Sequence, residues 1–124
     1  MTMRLLVFDD DAATGRLVVR VATMMGMEAT AVTNADAFSQ QLRSQPPQII
    51  VLDLQLGETD GVTQLRLLAA QGYAGALILI SGFDARVLET ARMLGTNLGL
   101  KLAGGLEKPL QVGELQQVLE HLKA

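Results

Sequence analysis

Three short apolar runs constrain the fold of this chain more than any other feature: Leu5–Phe8, Ile49–Leu52 and Leu77–Ile80, each ended by Asp or Ser. None of them alternates apolar with polar residues, which is the pattern of strands buried on both faces. Weaker extended stretches stand at Ala29–Val32 and Leu100–Ala103, where Thr30 and Lys101 suit a sheet edge. Between these five strand candidates the apolar period lengthens to that of a helix. Leu17, Val18, Val21, Met24 and Met25 share one helical face, Ala35, Phe38 and Leu42 a shorter one, and Val62, Leu65, Leu68 and Ala69 a third. Val87, Leu88, Ala91 and Leu94 make a fourth stripe, and Leu115, Val118, Leu119 and Leu122 a fifth. Thr33 or Asn34, Asp60 and Asp84 stand where N-caps belong, and Gly26, Gly72 and Gly99 lie near helix exits.

Strict alternation of strand and helix implies a parallel sheet with right-handed crossovers and helices on both faces. With the second and fifth strands at the edges, the order 2-1-3-4-5 follows, a doubly wound α/β fold of flavodoxin-like type. At 124 residues the chain is long enough for one core and too short for two, so residues 1–124 read as one domain. A content of 49% hydrophobic and 19% charged residues excludes a disordered chain. The net charge of −3 gives no reason to expect a nucleic acid or membrane surface as partner. Absence of cysteine removes disulfides, thiolate catalysis and Cys-type zinc sites. The apolar run near the N-terminus is too short for a signal peptide and no run reaches membrane-spanning length, so a cytoplasmic location is the expectation.

In a sheet of this order the functional crevice lies at the carboxyl ends of the strands, beside the reversal between strands one and three. The residues at those ends are Asp9 and Asp10, Asp53, Ser81 and Lys108. Three converging carboxylates repel one another unless a cation sits among them, and oxygen ligands of this kind favour Mg²⁺. Lys108 then offers a positive charge, and Ser81 a hydroxyl donor, to an incoming phosphoryl group. A carboxylate oxygen of Asp53 is placed to attack phosphorus in line and form an acyl phosphate.

The acidic pair in Leu6-Val7-Phe8-Asp9-Asp10-Asp11, Asp53 in Val51-Leu52-Asp53-Leu54, then Asp60-Gly61, Ser81-Gly82 and Lys108-Pro109 form one ordered set. Together they resemble the receiver domains of two-component response regulators, over essentially the whole chain. The resemblance implies that Asp53 is the phosphoacceptor, Asp10 a direct Mg²⁺ ligand, Asp9 a water-mediated one and the Gln55 backbone carbonyl another direct ligand. It implies that Ser81 and Lys108 hold the phosphoryl oxygens, and that the Lys108–Pro109 peptide is cis. The implied partners are a sensor histidine kinase or phosphotransfer protein and a downstream effector or output domain. A homodimer through the face of the fourth helix, fifth strand and fifth helix is a further implication. Such a domain catalyses its own phosphorylation and aspartyl-phosphate hydrolysis without being an enzyme acting on a separate substrate.

Three departures from the receiver pattern bear on mechanism. Gly57 stands where many receivers carry proline, which loosens the loop after the acceptor. Gly105 stands where many carry an aromatic residue whose rotamer reports phosphorylation, and glycine has no ring to move. Output is therefore expected through the Ser81–Asp84 loop and the fourth helix, fifth strand and fifth helix. The long stretch from Ser81-Gly82-Phe83-Asp84 through Asn97-Leu98-Gly99-Leu100 to Lys108-Pro109-Leu110 looks like receivers joined to EAL-type cyclic-di-GMP phosphodiesterases. Because the fifth helix ends with the chain, no output domain is expected on it.

Blander readings exist for single motifs. An acidic triplet such as Asp9-Asp10-Asp11 is often a solvated turn with a helix cap, Asp60-Gly61 reads as a cap and turn, and His121 as a surface residue. Met24, Met25 and Met27 read as core packing or the approach to a strand. Among rival functions, a small aspartate-nucleophile phosphohydrolase would want a second acid two residues after Asp53, where Gln55 stands. A flavodoxin-like binding protein would want a phosphate loop after the first strand rather than three carboxylates. An atypical receiver serving only as an interaction module has the same motifs.

Overall fold

The computed structural model describes residues 2–56, 59–82 and 85–123 and, of Thr59, the backbone alone. The expected loop glycine Gly57 and the expected cap Asp84, with Phe83 beside it, lie outside the described residues. The chain runs β1 (Arg4–Phe8), α1 (Ala12–Met24), β2 (Glu28–Val32), α2 (Ala35–Ser44) and β3 (Ile49–Asp53). It continues with β4 (Gln55–Leu56), β5 (Thr59–Asp60), α3 (Gly61–Ala70), β6 (Ala76–Ser81), α4 (Ala85–Asn97), β7 (Lys101–Glu107) and α5 (Val112–Lys123).

The main sheet is parallel throughout, in the order β2-β1-β3-β6-β7, where β6 and β7 are the fourth and fifth strands expected from the sequence. The doubly wound order is therefore present. Side-chain parity divides the core into two layers. Leu6, Phe8, Ile50, Leu52, Leu77 and Leu79 face Phe38, Leu65, Leu68 and Leu88 of α2, α3 and α4. Leu5, Val7, Ile49, Val51, Ile78 and Ile80 face Val18, Val21, Leu115 and Leu119 of α1 and α5.

Caps set the helix starts. The Asp11 carboxylate accepts from the Ala13 amide at 3.1 Å, Asn34 rather than Thr33 accepts from Ala37 at 2.8 Å, and Asp60 accepts from Thr63 at 2.6 Å. Gly26, Gly72 and Gly99 have φ of 87°, 72° and 88°, the left-handed exits that side chains disfavour.

Three local expectations are corrected. The fifth strand extends to Glu107, four residues past Ala103, because it follows β6 as far as Ser81. Met24 is 75% exposed: the buried stripe of α1 closes with Val21 and Ala22, and Met27 enters the core instead. The loop after β3 folds into a small antiparallel ladder, Gln55 paired with Asp60 and Leu56 with Thr59, which the apolar pattern did not announce.

Candidate functional site

Because the strands are parallel, Phe8, Asp53 and Ser81 finish at the same edge of the sheet, and the chain leaves β1 and β3 toward opposite sides. Asp53 closes β3 with its side chain completely buried. Asp9 follows β1, and its amide prolongs the ladder by donating to the Val32 carbonyl at 3.2 Å. That turn carries the Asp9 carboxylate inward while Asp10 stays exposed and Asp11 caps α1. The acidic triplet thus divides into a buried group, a rim group and a cap. Carboxylate oxygens of Asp9, Asp10 and Asp53 lie within 4.8 Å of one another.

Lys108 reaches this cluster from the end of β7. Its backbone amide donates to the Ser81 carbonyl at 2.8 Å, and the Lys108–Pro109 peptide is cis. The ammonium donates to Asp53 Oδ2 at 3.1 Å and to Asp9 Oδ1 at 3.3 Å. Backbone amides hold both carboxylates as well: Gln55 donates to the other oxygen of Asp53, Oδ1, at 3.0 Å, and Asp11 to the same oxygen of Asp9, Oδ1, at 2.8 Å. Ser81 is buried at the end of β6. All five strand-end residues expected from the sequence are therefore brought to one edge, with Gln55 beside them in β4.

The electrostatics are those of an undercompensated anion site. Burial raises the Asp9 carboxyl above its ordinary value, and the neighbouring Asp53 charge adds to that, against the Asp11 amide and Lys108, which favour ionisation. For Lys108, burial alone would lower the ammonium, but hydrogen bonds to Asp53 and Asp9 outweigh it and hold the group above its ordinary range. Asp9 Oδ2 is buried and accepts no hydrogen bond from the described residues, although the ammonium lies 3.1 Å away. Three carboxylates against one ammonium leave a formal charge of −2. A divalent cation taking oxygen ligands fits both that charge and the unserved oxygen.

Two close approaches were not singled out as functional from the sequence. A Cβ on Gly61 would stand 2.6 Å from Leu54 Cα and 3.1 Å from the Asp53 carbonyl, so only glycine lets α3 begin against the end of β3. The Asp60-Gly61 pair was legible as a cap and turn, but its contact with residue 54 was not. A Cβ on Gly82 would stand 2.5 Å from Gln55 Oε1, which places the Gln55 side chain over the loop that follows β6. His121 is exposed, with Nδ1 2.9 Å from the Gln117 carbonyl, and lies outside the site.

Comparisons with known proteins agree with this geometry. The family described as response regulator receiver domain matches residues 5–120. The regulatory protein VirG of Agrobacterium fabrum is 36% identical over 94 residues, 76% of this chain and 36% of VirG. The sensor protein TorS of Escherichia coli K12 is 34% identical over 121 residues, 96% of this chain and 13% of TorS. The chain thus spans little more than a third of VirG and less of TorS. Among solved structures, a response regulator from Colwellia psychrerythraea is 31% identical with a TM-score of 0.85, covering 98% of this chain and 97% of that one.

Proposed function

The chain belongs to the response regulator receiver domain family, and from that premise we propose that Asp53 accepts a phosphoryl group in two-component signalling. The observation that carries the assignment is the ammonium of Lys108 within 3.1 Å of a fully buried Asp53 carboxylate at the sheet's reversal point. No other carboxylate among the described residues combines complete burial with that neighbour at a strand's last position.

Asp9, Asp10, Asp53 and the Gln55 carbonyl would hold Mg²⁺, which supplies charge neutralisation for phosphoryl transfer when bound. The chain's own residues do the rest. The Gln55 amide and Lys108 fix the two oxygens of Asp53, so the nucleophile meets phosphorus without a rotameric search. Attack of an Asp53 oxygen on phosphorus breaks the bond from phosphorus to the donor, whose group leaves, and the acyl phosphate formed loses one carboxylate charge and brings about two phosphoryl charges. The ammonium of Lys108, already at the acceptor, then turns to the phosphoryl oxygens, and the Ser81 hydroxyl donates to another. Drawing Ser81 toward the phosphoryl group shifts the end of β6 and the start of α4.

The phosphoryl source is a sensor histidine kinase or phosphotransfer protein, and the recipient of the signal is an effector, an output domain or a second copy engaging α4, β7 and α5. No helix among the described residues is long and apolar enough to cross a membrane. The phosphohydrolase reading is disfavoured by Gln55, which has no carboxyl to act as acid two residues after the nucleophile.

Incubation with a small phosphodonor and Mg²⁺, followed by intact mass measurement, tests the assignment. One alkali-labile phosphoryl group is expected, absent in Asp53→Asn, which should retain the wild-type circular dichroism spectrum. Continuous turnover of the donor without a trapped adduct would favour the hydrolase. A label on any other residue, or none, would overturn the acceptor.

A further inference from the structure

Helix α4 meets the edge strand β7 through two leucine-on-glycine seats of opposite sense. Leu88 of α4 lies over Gly105 of β7: a Cβ there would stand 3.0–3.1 Å from Leu88 Cδ1, Cδ2 and Cγ. Leu102 of β7 lies over Gly95 of α4, where a Cβ would stand 2.7 Å from Leu102 Cδ2. Each element thus contributes one leucine and one glycine.

The spacing of the seats matches on both sides. Leu88 and Gly95 are seven residues apart, about 10.5 Å of helix. Leu102 and Gly105 are three apart, about 10 Å of strand. In a regular strand residues three apart point to opposite faces, so one seat would be lost. The register shift between β6 and β7 removes that obstacle: Leu77 pairs with Leu102 and Ile78 with Gly104, leaving Ala103 without an opposite residue. This bulge reverses the parity and turns both Leu102 and Gly105 toward α4, while Gly104 turns toward Val118 of α5.

We propose that the two seats make α4 and β7 a single moving body, with Leu88 as the positioning residue that carries movement at the site into it. This rests on the receiver reading given above. Gly105 lies three residues before Lys108, and Leu88 borders a cavity of about 380 Å³ that Gly105, Glu107, Lys108 and Pro109 also line. A shift of the strand end at Ser81 and Lys108 therefore meets α4 through Leu88, with room beside it, and the second seat two turns away keeps the helix from pivoting off the strand. No side chain at position 105 is needed, because the helix itself supplies the group that fills the notch.

Native-state hydrogen exchange on the unliganded protein tests the single body without reference to phosphorylation. The slowest amides of α4 and β7 should share one protection level, and Leu88→Ala or Leu102→Ala should lower both by the same factor, tenfold or more. Wild-type α4 amides exchanging tenfold faster than those of β7, or variants that loosen α4 alone, would overturn it. Gly105→Ala supplies a second arm. It should destabilise the wild type and do so markedly less in the Leu88→Ala background, whereas additive effects would count against the seat.

The coupling role has its own readout. Beryllofluoride with Mg²⁺ should shift amides of α4 and β7 together in the wild type, and Leu88→Ala should keep the shifts around Asp9 and Asp53 while losing those of α4. Undiminished α4 shifts in Leu88→Ala would overturn the coupling role. A wild type with no shifts around Asp53 would instead sink the phosphoacceptor reading, leaving the exchange result to decide the single body alone.

Discussion

The centre of the sheet and its β7 edge are built on opposite principles. In β3 every residue from Ile49 to Asp53 is buried, and β1 and β6 are buried along all but their first residue. In β7 only Leu106 is buried, and Gly104 and Gly105 occupy its middle. The centre fills space with branched side chains on both faces and so holds the carboxylates at its ends in fixed positions. The edge lets α4 and α5 approach its backbone where side chains are missing. A rigid seat for Asp53 beside an edge that can adjust is what the proposed phosphorylation switch would need.

Truncation provides the harshest way to break this comparison. Ile50→Ala truncates a fully buried side chain in the central layer and should cost about 2–5 kcal/mol of unfolding free energy. Leu102→Ala, at a half-buried edge position, should cost less than half as much. Urea unfolding at matched m-values measures both, and equal costs would show that centre and edge are not differently packed.

Metal addition probes the centre alone. Mg²⁺ at a hundredfold excess over its dissociation constant should stabilise the fold by about 2.7 kcal/mol. Asp10→Asn should remove most of that gain, and in metal-free buffer it should equal or exceed the wild type in stability because one repelling charge is gone. Thermal melts with and without the metal distinguish these outcomes. A wild-type midpoint indifferent to millimolar Mg²⁺ would leave the cluster without its proposed cation.

The smallest effect separates the buried carboxylate from the helix caps by the sign of its pH dependence. Buried Asp9 has its carboxyl raised above the ordinary value of 3.8, so in metal-free protein it favours the folded state while protonated. Its cost appears as pH rises through that raised value. The cap carboxylates behave oppositely. Asp11, held low chiefly by its bond from Thr14, and Asp60, held low chiefly by the Thr63 amide, stabilise above their ordinary value of 3.8. That support is lost as pH falls through their depressed values. Asp9→Asn should therefore flatten the weakening on the alkaline side of 3.8, and Asp60→Asn the weakening on the acidic side. Stability profiles over acid pH, without metal, check the two signs, and variants shifting the profile in one direction would refute the distinction.

The periodicity of the chain determined the five parallel strands, their order and the edge at which Asp9, Asp10, Asp53, Ser81 and Lys108 gather, because burial on both faces and short crossovers leave few other arrangements. The resemblance to receiver domains also marked Gly105 as a place without a ring. What the linear pattern did not carry is the division of labour within the acidic triplet, where one turn buries Asp9, exposes Asp10 and spends Asp11 on a helix cap. Nor did it carry the seats between α4 and β7. Those depend on which way a glycine's missing side chain points, and the bulge at Ala103 sets that direction by a register that exists only once β6 and β7 are paired. Periodicity reports which face a residue shares with its neighbours in sequence, whereas contact across elements is decided by register and parity, which belong to the assembled sheet.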